Sequence, residues 1–254
     1  MTVALPLASC PVVELRRYTL HPGRLPDLLA VFEEHLVEPQ EEAGMTVAGT
    51  FADEDAPDTF TWLRGFAGHQ SRVRALTDFY SGPVWRRHAA AANATMVDSD
   101  DVLLLRPTIP AHPPATAVPR DRARSAAPRE GVLLGTLAPL DGQGDGHRDG
   151  EGDGEGRATA LVPALEDVLG TRVAVWRTDP HPNDFPALPV RTERAVTWLA
   201  VLPDPASRDA ALAALHGSAV GAELARLGPH DVRRLRPTPR SAHPGPVPVR
   251  GAGR

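Results

Sequence analysis

Lysine is missing from this 254-residue sequence, and all 27 basic residues are arginine. A lysine Schiff base and the lysine of a phosphate-binding P-loop are therefore excluded. Cysteine occurs once, at Cys10, so no intramolecular disulfide, Cys-rich zinc site or CxxC pair can be built. That usage fits a reducing compartment, and a cytoplasmic location is expected. No run of about 18 apolar residues exists, so no membrane association through a spanning helix is expected. The net charge of -5 gives no global pull toward nucleic acid. There is no Gly-x-Ser-x-Gly elbow, no HExxH pair and no strand-linked GxGxxG, and no cofactor is expected. No metal is expected either. His35, Glu38 and Glu42 share one helix without forming a recognised ligand signature, and the run Asp149 to Gly154 imitates a calcium loop but has Ala160 at its twelfth position, where a bidentate Glu is required.

What is present is the composition of a globular protein, 42% apolar and 23% charged. Residues 12–20 alternate as a strand, and 22–42 place Leu25, Leu28, Leu29, Phe32 and Leu36 at the spacing of one helical face. Strands follow at 45–51 and 60–66 around an acidic turn. A helix carrying Val73, Leu76 and Phe79 breaks at Ser81-Gly82-Pro83 and restarts, and a strand closes the unit at 102–106. This strand-helix-strand-strand-helix-strand order is that of a ferredoxin-like α+β sandwich.

Six prolines between 107 and 128 mark a linker, assigned to 108–130, after a first domain of residues 1–107. A second domain at 131–237 repeats the order: strands at 131–140, 171–178, 195–202 and 232–235, with helices at 158–169 and 205–226. A glycine and acidic loop at 141–157 interrupts it. Thr61-Trp62-Leu63 recurs as Thr197-Trp198-Leu199, and Leu105-Arg106-Pro107 as Leu235-Arg236-Pro237, at equivalent places in the two orders. Residues 238–254 are expected to be a disordered tail. Each four-stranded sheet has helices on one face, so the other needs a partner. The two halves should pair as an intrachain pseudo-dimeric α+β barrel, although pairing between chains as a homo-oligomer would serve as well.

Strand alternation puts Glu14, Arg16 and Tyr18 on one face and Val13, Leu15 and Arg17 on the other; in the third strand Phe60, Trp62, Arg64 and Phe66 alternate with Thr61, Leu63 and Gly65. The small and aliphatic set suits packing against helices, which sends the aromatic and arginine set into the barrel interior. Arg16 and Arg64 buried there need Glu14, another carboxylate or a bound anion. Tyr80, Trp85, His88 and Asn93 gather at a helix entrance, with His88 able to act as a general base and Tyr80 or Asn93 to orient it. Nine of the twelve aromatics precede residue 107, so a site is expected in the first half, with the second as lid or scaffold.

The segments Glu14-Leu15-Arg16-Arg17-Tyr18-Thr19-Leu20-His21-Pro22-Gly23, Glu38-Pro39-Gln40 with Ala43-Gly44-Met45, Phe60-Thr61-Trp62-Leu63-Arg64-Gly65-Phe66, and Phe79-Tyr80-Ser81-Gly82-Pro83-Val84-Trp85 through Ser99 resemble the NIPSNAP family over residues 12–107. The resemblance implies a ferredoxin-like, dimeric α/β-barrel domain, a fold whose other members include cofactor-independent monooxygenases and small-molecule isomerases or cyclases. Three functions follow as expectations. The first is binding of a small anionic or aromatic molecule in the barrel cavity by Glu14, Arg16, Arg64, Tyr18, Trp62, Tyr80, Trp85 and Asn93. The second is cofactor-free catalysis, with His88 as base and Arg64 stabilising an enolate-type anion. The third is a structural module whose barrel is packed shut.

Overall fold

The structure is a computed structural model that describes residues 7–108, 130–138, 153–243 and 246–249. The first half runs β1 (Val12–Leu20), α1 (Leu25–Val31), a π-helical turn (Phe32–Leu36), α2 (Val37–Glu42), β2 (Thr46–Asp53), β3 (Thr59–Phe66), α3 (His69–Ser81), α4 (Pro83–Asn93) and β4 (Met96–Pro107). The second half repeats it as β5 (Gly131–Leu137), α5 (Asp153–Ala160), α6 (Val162–Leu169), β6 (Val173–Thr178), β7 (Val196–Leu202), α7 (Pro205–His216), α8 (Ala219–Leu227) and β8 (His230–Pro237). Most of the acidic loop and nearly all of the linker lie outside the described residues. The last part of that loop, 153–157, is instead the first turn and more of α5.

The eight strands close into one barrel in the order β1-β3-β2-β8-β5-β7-β6-β4. Each half contributes the arrangement 4-1-3-2 of its own strands. The halves join edge to edge where Phe51 to Asp53 meet Leu235 to Pro237 and where Leu105 to Pro107 meet Trp176 to Thr178. Closure leaves neither sheet with an unpaired edge. The expected α+β pseudo-dimeric barrel within one chain is what forms.

The interior of the barrel is mainly aliphatic, with Phe51 and Trp176 among its buried side chains. Val13, Leu15, Leu63, Leu103 and Leu105 from the first half pack there with Val132, Leu134, Leu199, Val201 and Leu235 from the second. Burying each such side chain contributes about 1.5–3 kcal/mol. The alternation of strand side chains is as the sequence predicts, but the assignment of the two faces is reversed. The Glu14, Arg16, Tyr18, Trp62 and Arg64 face lies under the helices, whose Leu28, Phe32, Leu36, Leu76 and Phe79 share its core. The physical reason is satisfaction of charge: the barrel-side cluster is apolar, whereas the helices supply Gln40 to Arg64 and Arg72 to Glu14.

The tail is a second correction. Thr238, Arg240, Ser241 and His243 are buried. Thr50 and Thr238 share a hydroxyl hydrogen bond of 2.6 Å, and the Thr50 backbone N–H donates to Ser241 Oγ at 3.0 Å. Arg240 pairs with Glu38 and with the backbone of Glu33. Proline-rich composition therefore does not keep these residues off the body, because polar side chains supply the hydrogen bonds that a strand would.

Candidate functional site

β1 and β3 run antiparallel with Glu14 opposite Arg64, Arg16 opposite Trp62 and Tyr18 opposite Phe60. Alternation then presents all six side chains to the helices as one continuous patch. At its centre Glu14 is fully buried and accepts from three arginines: Arg16 at 2.8 Å, Arg64 at 2.7 Å and Arg72 at 2.7 Å. Burial alone would push the Glu14 carboxyl up, but Arg64, Arg16 and Arg72 together hold it well below the usual carboxylate range. Arg16 also donates to Tyr18 Oη at 3.0 Å. Burial raises the Tyr18 hydroxyl, so it stays protonated near neutral pH.

Aromatic rings wall the cluster. The Arg64 guanidinium lies 5.2 Å from the Trp62 ring and 6.0 Å from Tyr80, and Arg16 lies 5.5 Å from Tyr18. Phe32 meets Trp62 edge-on at 4.9 Å, and Trp85 meets Tyr80 at 4.9 Å. Between these rings sits a cavity of about 30 Å³, lined among others by Tyr18, Gln40, Trp62, Tyr80 and Trp85. That is room for about one water. The π-helical turn contributes Phe32 and Leu36 to its wall, and π-turns recur at functional sites because they re-aim side chains within a helix.

A segment of the second half packs over the patch from outside. The segment between β6 and β7 sends Asp184 to Arg72 at 2.6 Å and Asn183 to the same nitrogen at 3.3 Å. Phe185, Leu188 and Val190 pack on the first half's helix-side core. The cluster therefore holds three guanidinium groups against the carboxylates of Glu14 and Asp184. Trp62 Nε1 and Arg72 Nη2 are buried donors with no hydrogen-bond acceptor among the described residues.

Of the residues named from the sequence, Glu14, Arg16, Tyr18, Trp62, Arg64, Tyr80 and Trp85 converge. His88 does not. It stacks on His35 at 4.0 Å in an outer groove between the first helices, where Arg87 and Glu34 are also found. Asn93 is exposed at the end of α4. Gln40, Arg72 and Asp184 were not anticipated. Arg72 had a legible signal, since it falls in register with the buried Ala75, Leu76 and Phe79 on one face of α3. Asp184 had none, being in an irregular loop of the other half. Cys10 is buried under Gly65, and burial pushes its thiol up to about 11, too high for a nucleophile at neutral pH.

In the second half β5 and β7 pair in the same register, with Leu133 opposite Ala200, Gly135 opposite Trp198 and Leu137 opposite Val196. The places of Glu14, Arg64, Arg16 and Tyr18 are thus taken by Leu133, Ala200, Gly135 and Leu137. All four charged or hydroxylated groups have been replaced by apolar ones, and the Trp198 indole occupies the space above Gly135.

Residues 13–110 match the NIPSNAP family model. The NIPSNAP match thus falls on the first half. Over the whole chain, the fold is similar to that of a candidate monooxygenase from Lactobacillus acidophilus NCFM, at 13% identity, with 94% of this chain and 99% of that chain covered and a TM-score of 0.54. It is similar also to a candidate monooxygenase from Fusobacterium nucleatum, at 8% identity, 95% and 98% coverage and a TM-score of 0.56. An anthrone oxidase-like protein shares it at 13% identity, 91% and 93% coverage and a TM-score of 0.55. At these identities the likeness is one of fold. No curated protein matches the chain in sequence. No helix among the described residues is long and apolar enough to cross a membrane.

Proposed function

We propose that the NIPSNAP half binds a small anionic, aromatic molecule between its sheet and its helices, with Arg16 and Arg64 holding the negative group and Tyr18, Trp62, Tyr80 and Trp85 stacking on the ring. The observation that carries this reading is charge: three guanidinium groups face two carboxylates in apolar surroundings, and surplus buried charge is costly unless a counter-ion completes it. The unpaired donors on Trp62 and Arg72 support an acceptor-rich ligand. A cavity of about 30 Å³ is far below the roughly 300 Å³ of a typical ligand site, so entry requires the π-turn or Trp85 to move outward.

The catalytic extension keeps Arg64 and Arg16 as stabilisers of an enolate-type anion. It is supported by the fold shared with candidate monooxygenases. His88 has no part in it, since it stacks with His35 in the outer groove.

The test compares 2-naphthoate with the neutral 2-naphthylmethanol, titrated into the full chain and followed by tryptophan fluorescence. The carboxylate should bind about tenfold tighter or more, as expected for an added charge-assisted pair. Equal affinities, or no saturable response to either compound, would refute the proposal and favour a domain that is packed shut.

A further inference from the structure

We propose that His69, His181 and Asp184 form a transition-metal site, suited to Zn²⁺, that fastens the β6–β7 segment of the second half onto the start of α3 in the first. One potential ligand atom from each of the three lies within 4.8 Å of the others. The site shares Asp184 with the arginine cluster but none of its residues lines the ring-walled cavity, and the proposal does not depend on what that cavity binds.

Hydrogen bonding assigns the lone pairs. His69 Nε2 lies 3.1 Å from Asp179 Oδ2, and a carboxylate accepts, so the proton of a neutral imidazole sits on Nε2. Nδ1 is then left with a lone pair, and it is buried with no hydrogen-bond partner among the described residues. His181 Nδ1 lies 2.8 Å from the Pro182 carbonyl, which can only accept, so the His181 lone pair is on Nε2. Asp184 directs Oδ1 to Arg72, leaving Oδ2 to coordinate. Each imidazole thus has one nitrogen fixed by an acceptor and the other directed elsewhere, the second-layer pattern of metal-bound histidine, with Asp179 as the positioning carboxylate.

The two rings stack at 3.7 Å and 13°. Coordination requires the ring planes to diverge. His181 is exposed and can swing out of the stack, drawing the three ligand atoms to the roughly 3.3 Å spacing of a tetrahedral ion with bonds near 2.0–2.1 Å, and water would complete the shell. Two imidazole nitrogens and one carboxylate suit zinc and its neighbours, and not the oxygen-seeking Mg²⁺ or Ca²⁺.

The test titrates ZnCl2 into the chelator-treated full chain by calorimetry, with thermal unfolding in parallel and Co²⁺ absorption as a second probe. The proposal expects one ion per chain, a rise in Tm on saturation and visible Co²⁺ bands of low-coordinate type. His69→Ala and His181→Ala should each weaken Zn²⁺ binding by about a hundredfold, and Asp179→Asn by about tenfold. Their folding is checked by far-UV circular dichroism. Because the outer groove holds a second His pair, the His35→Ala/His88→Ala double variant should bind Zn²⁺ like the unaltered protein. The proposal is overturned if the unaltered chain binds no Zn²⁺ saturably, if binding survives both His69→Ala and His181→Ala, or if the groove variant is the one that loses it.

Discussion

Arg72 and Arg208 hold the same place in the two halves, each one turn into the helix that follows the third strand, and each reaches across to a loop of the opposite half. Arg72 on α3 pairs with Asp184 between β6 and β7, and Arg208 on α7 pairs with Glu54 between β2 and β3 at 2.8 Å. Both guanidinium groups are almost fully buried. The pseudo-dimer is therefore fastened by two reciprocal ion pairs in addition to its barrel seams.

The two pairs should not be equal in cost. Arg72→Met leaves Glu14, which is wholly buried, short of one cation, and a loss of about 3–5 kcal/mol is expected. Arg208→Met leaves Glu54 and Asp209, both exposed enough to take up water, and about 1–2 kcal/mol is expected. Urea unfolding of the two variants measures the difference, and equal losses would contradict the burial argument.

Removing the carboxylate at the centre should be at least as damaging. Glu14→Gln strips Arg16, Arg64 and Arg72 of their shared partner and is expected to cost about 3–5 kcal/mol, unless added benzoate or chloride restores part of it. Anion-dependent recovery of Tm in Glu14→Gln, beyond any shift in the unaltered protein, is the measurement to make.

Much of this was legible in advance, and the failures have physical causes. The alternation of Glu14, Arg16 and Tyr18 with Val13 and Leu15 set two faces correctly, and the repeated Thr-Trp-Leu placed β3 and β7 at equivalent positions. Which face met the helices was not decided by alternation. Both faces are buried, one by mainly aliphatic side chains across the barrel and one by mixed aromatic and charged groups, so polarity carried no sign. The polar start of β4, with Asp98 and Asp100 exposed, concealed strand that pairs with Thr19 and Leu20. His88 sat near Trp85 in sequence, but α4 turns it to the outer groove while Trp85 lines the cavity. Asp184 joined the cluster through a contact between distant segments that no local pattern announces.

Trp198 makes Gly135 obligatory. A Cβ there would lie 2.0 Å from the indole ring. Gly135→Ala should cost about 1–3 kcal/mol by overpacking, whereas the paired change Gly135→Ala with Trp198→Leu should recover part of it. Chemical unfolding of the single and double variants tests the coupling.

His230 sets a pH dependence at the edge of the second half. It accepts from Trp198 Nε1 at 3.3 Å, and burial pushes its imidazole down to about 4 from the usual 6.5. The folded chain then favours the neutral ring while the unfolded chain protonates near 6.5, so stability falls as pH drops from about 6.5 to about 4 and this contribution levels off below. The loss should total about 2–3 kcal/mol after allowance for partial exposure. His230→Gln should flatten the stability profile over that interval; an unchanged slope would assign it to other groups.

The most direct test is the anomalous signal of bromine in crystals soaked with 6-bromo-2-naphthoate. The account predicts bromine between the helices and the sheet of the NIPSNAP half, with the carboxylate within hydrogen-bond distance of Arg16 and Arg64. Bromine confined to the groove beside His35 and His88, or found inside the barrel, would contradict it.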